Sequence, residues 1–156
     1  MPIRTIAVVF LFSALLGCTP APPPPPPPVS EAEVQDFVRV YLAAYNSGDA
    51  TKITSMITKD GSATSIGYGE ITEGWESIRK VVDEHNAGAV SLRVTFATVT
   101  VQPVSADVAL AFAPFTVTIA QRRGTVQLPG AATLIIRRSG GKLELMHEHY
   151  STKLAE

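Results

Sequence analysis

One cysteine in 156 residues cannot close a disulfide within the chain, so any domain here is held by its own apolar core. Charge is also scarce. Lys, Arg, Asp and Glu make up 17% of the residues, with 14 acids against 13 bases. The bases gather no further than the pairs Arg122-Arg123 and Arg137-Arg138, which leaves no basic stripe to follow a nucleic-acid backbone. Nucleic acid is therefore not an expected partner. There are three histidines, and His85 has no spacing that joins it to His147 and His149 as a ligand set, so no metal and no cofactor is expected. No Gly-x-Ser-x-Gly elbow announces a nucleophilic serine. Long apolar runs are missing as well. The run Ile6 to Leu16 would rise roughly 16 Å as a helix, against about 30 Å of hydrocarbon core, which excludes a membrane-spanning helix there.

What that run does fit, with Arg4 before it, is the core of an export signal. It ends in Leu15-Leu16-Gly17-Cys18, which resembles the lipobox of bacterial lipoproteins, although an ordinary secretory signal with a chance cysteine has the same charge pattern. The resemblance implies cleavage before Cys18 and acylation of its thiol. Residues 1–17 are then a signal peptide, residues 18–29 a lipidated cysteine with a proline-rich spacer, and residues 30–156 the domain. Stable anchoring needs more than one acyl chain, and lipoprotein-type modification supplies two or three. Thr19 in place of Asp after the cysteine points, by analogy with Gram-negative sorting, to the outer membrane, facing the periplasm. Pro22 to Pro28 favours extended polyproline II at about 3.1 Å per residue, so the spacer is stiff and roughly 30 Å long. It holds the domain off the membrane or, alternatively, docks a proline-reading partner.

Ser30 onward leaves about 127 residues, the size of one domain with a real core. Its first half reads helical. Ser30 and Glu33 form a capping box, after which Val34, Phe37, Val38, Tyr41, Leu42 and Tyr45 recur at helical spacing until Asn46-Ser47-Gly48 stops the helix. A short helix is predicted over 50–58, a weak strand near 63–68, and a third helix over 74–86 that buries Trp75, Ile78, Val81 and Val82 and ends at Gly88. The second half reads as strands over 90–101, 107–121, 124–138 and 142–152, rich in Val, Thr, Ile and Phe and joined by short turns. Short joints imply antiparallel neighbours, hence a meander. Helices followed by strands make an α+β fold with the helices covering one face of a curved sheet.

Three segments carry a family resemblance. Tyr41-Leu-Ala-Ala-Tyr-Asn-Ser-Gly-Asp49, Gly74-Trp-Glu-Ser-Ile78-Arg79 and Met146-His147-Glu148-His149-Tyr150-Ser151 resemble, in this order, the first helix, the opening of the third helix and the final strand of the nuclear transport factor 2-like superfamily, SnoaL-like and ketosteroid-isomerase-like branch. The resemblance spans Ser30 to Glu156. It implies a cone, with three N-terminal helices packed on a curved, mostly antiparallel sheet, a pocket at the open end and a homodimer through the outer face of the sheet. It also implies that His147 and His149 point into that pocket.

Fold does not fix function in such a superfold. The isomerase branch uses a helix tyrosine and two carboxylic acids. Tyr41 matches the tyrosine, but the aspartate position falls on Ser65, and 131–138 contains no Asp or Glu. Tyr41 is equally a core residue beside Phe37. Strand alternation puts His147, His149 and Ser151 on one face with Leu143 and Leu145, and Met146, Glu148, Tyr150 and Thr152 on the other. The imidazoles serve as polar lining, as ligand contacts or as a general base. Tyr41, Tyr45, Trp75, His147, His149 and Ser151 are the candidate ligand-binding residues. Trp75 packing the third helix on the sheet is its competing role, and Asp60 and Glu70 are expected to be solvated near the mouth. The leading expectation is an envelope lipoprotein binding a small, partly apolar molecule. The alternatives are an isomerase, cyclase or hydrolase using His147 or His149 as base, and a dimeric interaction domain.

Overall fold

The structure, a computed structural model, describes residues 27–67, 69–87, 92–121 and 124–153. The signal peptide, Cys18, most of the proline run, and the expectations placed on Tyr68, Gly88, Val90 and the Arg122-Arg123 pair lie outside those residues. Helix α1 spans Glu31–Ser47 and begins at the capping box: the Ser30 hydroxyl accepts from the Glu33 amide, and the Glu33 carboxylate accepts from the Ser30 amide at 2.9 Å. Val29, just before the cap, is buried in the same core as Val34, as in a hydrophobic staple, and its amide donates to the Ala106 carbonyl. Gly48 ends the helix in the left-handed conformation with φ 69°. Helix α2 is Ala50–Ser55, capped by Asp49. It stops short of residue 58 because Ile57 and Thr58 turn into the sheet, where the Thr58 amide donates to Leu145 and the Leu145 amide to Met56.

Strands β1 (Thr64–Gly67) and β2 (Glu70–Glu73) form an antiparallel hairpin ahead of helix α3 (Trp75–Ala87). The sequence did not reveal β2. Four residues with two terminal glutamates and an exposed Ile71 give too short an alternation to read. Strands β3 (Leu92–Phe96), β4 (Thr100–Pro103), β5 (Val108–Gln121), β6 (Gly124–Ser139) and β7 (Lys142–Thr152) follow. The predicted single strand over 90–101 is interrupted. Phe96 pairs Phe115 and Thr100 pairs Phe112, so Ala97, Thr98 and Val99 stand against Ala113 and Pro114 alone. Three residues against two is a bulge, which bends the edge of the sheet.

The seven-stranded sheet runs β2-β1-β7-β6-β5-β3, with β4 also on β5. Its long ladders are antiparallel as predicted, and the one exception is β1, which pairs β7 in parallel. The α+β expectation therefore holds: helices packed on an open, curved, mostly antiparallel sheet, the nuclear transport factor 2-like architecture. Val34, Phe37, Val38, Tyr41 and Ala44 of α1 form one core with Ile53, Ile78, Ala109, Ala111, Leu134, Ile136 and Leu145. Ala109 and Ala111 of β5 are fully buried in this core. A second cluster, Val94, Phe115, Val117 and Ala132, is flanked by half-buried Leu42, Tyr45, Leu92 and Tyr150, and there the interior opens.

Candidate functional site

The opening is a cavity of about 1120 Å³ between α1, α3 and the sheet. Its walls are largely apolar, among them Leu42, Val82, Val94, Phe96, Phe115 and Val117. Phe115 is set by an edge-on contact with Tyr150 at 5.8 Å and a tilted one with Phe96 at 6.1 Å between ring centroids.

Polar chemistry in this cavity converges on Glu148, which is 8% exposed. Three neutral hydroxyls donate to its carboxylate. Tyr41 of α1 reaches Oε2 at 2.7 Å, Tyr150 reaches the same oxygen at 3.0 Å, and Ser65 of β1 reaches Oε1 at 2.8 Å. Burial, and next the negative charge of Glu148, push both tyrosine hydroxyls well above their ordinary range, so they remain protonated donors. Ser65, the position that resemblance assigns to a catalytic aspartate, carries no carboxylate itself but touches one, which arrives from the neighbouring β7.

This arrangement corrects the expected faces of β7. Ile136 pairs Leu145 and Ile135 pairs His147, so Met146 is the extra residue of a bulge. An extra residue shifts the phase of alternation. Leu143 and Leu145 therefore face the core below the bulge, while Glu148 and Tyr150 face inward above it. His147, expected in the pocket, is turned to the other face. Its Nδ1 lies 2.6 Å from the Thr64 hydroxyl, and it does not line the cavity. Burial, then the charge of His149, lowers the His147 pKa, with Glu148 acting weakly in the opposite sense.

Of the remaining candidates, Tyr41 and Tyr45 line the cavity, and His149 and Ser151 stand exposed along its wall. The Ser151 hydroxyl donates to the Ala131 carbonyl at 3.3 Å. Trp75 does not reach this cavity. Its indole N–H donates to the Thr54 carbonyl at 2.9 Å, Lys59 Nζ sits 4.5 Å above its ring, and it borders a separate groove of about 320 Å³. Trp75 thus joins α3 to α2. Glu70 is exposed at the cavity, whereas Asp60 is ion-paired with Arg137 at 2.5 Å. Its hydrogen bonds from Ser62 and Arg137 hold the Asp60 carboxyl far below the usual range. Among the described residues no cluster of three His, Cys, Asp or Glu side chains is placed to hold a metal, and no helix is long and apolar enough to cross a membrane.

The candidate site residue that sequence reasoning passed over is Glu148. Its signal was the shared parity with Tyr150, but alternation alone left both faces of β7 open, and the bulge that chose between them depends on pairing with β6 and on the bridge from Ile57.

Comparison with known proteins agrees with this architecture. The SnoaL-like domain family matches residues 34–155. No curated protein matches the chain. Among solved structures, a candidate dehydratase of the nuclear transport factor 2-like family from Streptomyces avermitilis is 18% identical with a TM-score of 0.70, over 80% of this chain and 97% of that one. A function-unknown protein from Mycobacterium tuberculosis is 20% identical with a TM-score of 0.69, over 78% and 70%. A nuclear transport factor 2-like protein of unknown function from Shewanella oneidensis is 15% identical with a TM-score of 0.64, over 77% and 97%. At these identities the similarity speaks for the fold alone.

Proposed function

The chain belongs to the SnoaL-like domain family, and from that premise we propose that it is a lipid-anchored envelope protein whose cone binds a small, partly apolar molecule. SnoaL-like domains of this fold commonly bind small molecules or act as isomerases. The observation that carries the binding reading is the cavity itself: about 1120 Å³ with apolar walls and one convergent polar cluster, the form of a small-molecule site. The lipobox-like Leu15-Leu16-Gly17-Cys18 and the proline run supply the anchoring half, with the domain held roughly 30 Å from the membrane and facing the periplasm from the outer membrane. A homodimer through the outer sheet face is part of the same reading, supported by Phe112 of β5, which is 41% exposed.

One measurement addresses anchor, ligand and assembly together: native mass spectrometry of the full chain, extracted in mild detergent from cells that make it. The expected species starts at Cys18, carries acyl mass on it, appears as a dimer, and holds a discrete extra mass that leaves on denaturation. An unacylated chain retaining residues 1–17 would overturn the anchor. A ligand-free mass that stays unchanged after exposure to extracts of the same cells would overturn tight binding.

Acid–base catalysis is the second reading, and a specific observation favours it. A carboxylate lies in a largely apolar cavity beside two protonated tyrosines: it can accept a proton, and the tyrosine O–H groups that it then releases can steady a developing oxyanion. In that case Glu148, rather than His147, is the base, because His147 faces away. Turnover lost in Glu148→Gln and retained in His147→Gln is the expected signature.

A further inference from the structure

A carboxylate buried away from water is ordinarily matched by a cation. Glu148 is more than nine-tenths buried, yet its hydrogen-bond partners among the described residues are the hydroxyls of Tyr41, Tyr150 and Ser65, all neutral. The described lining of the cavity contains no Lys or Arg. It does contain Glu70 and Glu84 besides Glu148, with His85 and His149 as the basic groups. His147, next in the chain, is on the opposite face and engaged with Thr64.

The stereochemistry of the cluster narrows what would complete it. A carboxylate offers about four acceptor positions. Among the described residues two donors reach Oε2 and one reaches Oε1, so Oε1 can accept another. Each tyrosine O–H is already donating to Glu148, so toward a further group in the resting cluster its oxygen offers lone pairs. The cluster therefore presents several acceptors converging on one small region of an otherwise apolar cavity. An ammonium head carries three donors and a positive charge. A ligand carboxylate at that point would meet the like charge of Glu148, whose three hydroxyl donors are already engaged with it.

Resting on the reading of the cone as a binding site, we infer that its ligand is a small lipophilic amine, the protonated head on Glu148 and the tyrosine oxygens and the apolar body against Val94, Phe96 and Phe115. The charge is what Glu148 selects, and the apolar walls select the body.

Three probes of one skeleton test this on the intact protein: 2-(1-naphthyl)ethylamine, 2-(1-naphthyl)ethanol and 1-naphthylacetate, titrated calorimetrically at neutral pH. The amine is expected to bind at least tenfold more tightly than the alcohol, and the carboxylate most weakly. In Glu148→Gln, whose amide oxygen still accepts from the tyrosines, the amine should lose its advantage over the alcohol. Equal affinity of amine and alcohol for the unaltered protein would overturn the charge selection and leave the cavity reading standing. Failure of all three to bind would overturn both. The comparison among probes needs no variant, so a Glu148→Gln protein that does not fold leaves the test decisive.

Discussion

Gly130 shows how narrowly single residues shape the cavity. A Cβ there would collide with the Phe115 ring and with the Ser151 carbonyl oxygen, the latter fixed in backbone. The bare backbone of β6 lets Phe115 lie flat against the sheet and meet Tyr150. Gly130→Ala should therefore be destabilising by about 1–3 kcal/mol, the usual cost of overpacking, measured by urea unfolding; an unchanged midpoint would show that Phe115 moves aside freely. Glu148 belongs to the same scale. The sequence displayed a tyrosine, a serine and a glutamate far apart in the chain, and nothing local joins Tyr41 to a residue on β7. The residues that were easy to notice, His147 and Trp75, carry other tasks, because a conspicuous residue type says nothing about which way its strand or helix turns it.

At the scale of elements, helices were more legible than strands. The Ser30–Glu33 box and Gly48 fix the ends of α1 through contacts within a few residues, so its bounds could be read directly. The edge strand β3 instead depends on a partner distant in sequence. Asn46, legible only as part of a helix stop, accepts from the Val94 amide and donates to the Val94 carbonyl, both at 2.7 Å. Its side chain thus stands in for a neighbouring strand along an edge that would otherwise expose unpaired backbone. Replacing Asn46 with Ala should leave α1 intact and free that edge: hydrogen exchange is expected to accelerate at the Val94 amide, with little change in β6. Uniform acceleration across the sheet would mean that Asn46 serves the whole core rather than the edge.

On the scale of the whole molecule, one set of contacts binds the entry of α1 to the far end of the sheet. Arg138 of β6 donates to both oxygens of Glu33 at 2.9 and 3.0 Å. Hydrogen bonds from Ser30, then from Arg138, lower the Glu33 pKa from 4.5 to about 2. A depressed carboxyl pKa stabilises the fold above its unfolded value and loses that contribution as pH falls through the folded one. The Tm difference between wild type and Glu33→Gln should therefore be largest above pH 4.5 and close by about pH 2, as thermal melts at stepped pH would show; a difference independent of pH would remove the charge from the explanation. The amino-acid sequence alone determined the helix caps, the strand-rich second half, the α+β class and the family, because caps, periodicity and short motifs are set by neighbours in the chain. Tertiary structure alone decided which face of β7 looks inward. The bulge at Met146 exists because β6 pairs on one side while Met56 and Thr58 clasp Leu145 on the other. Such pairing is long-range, and a shift of one residue in it exchanges a histidine for a glutamate at the centre of the cavity.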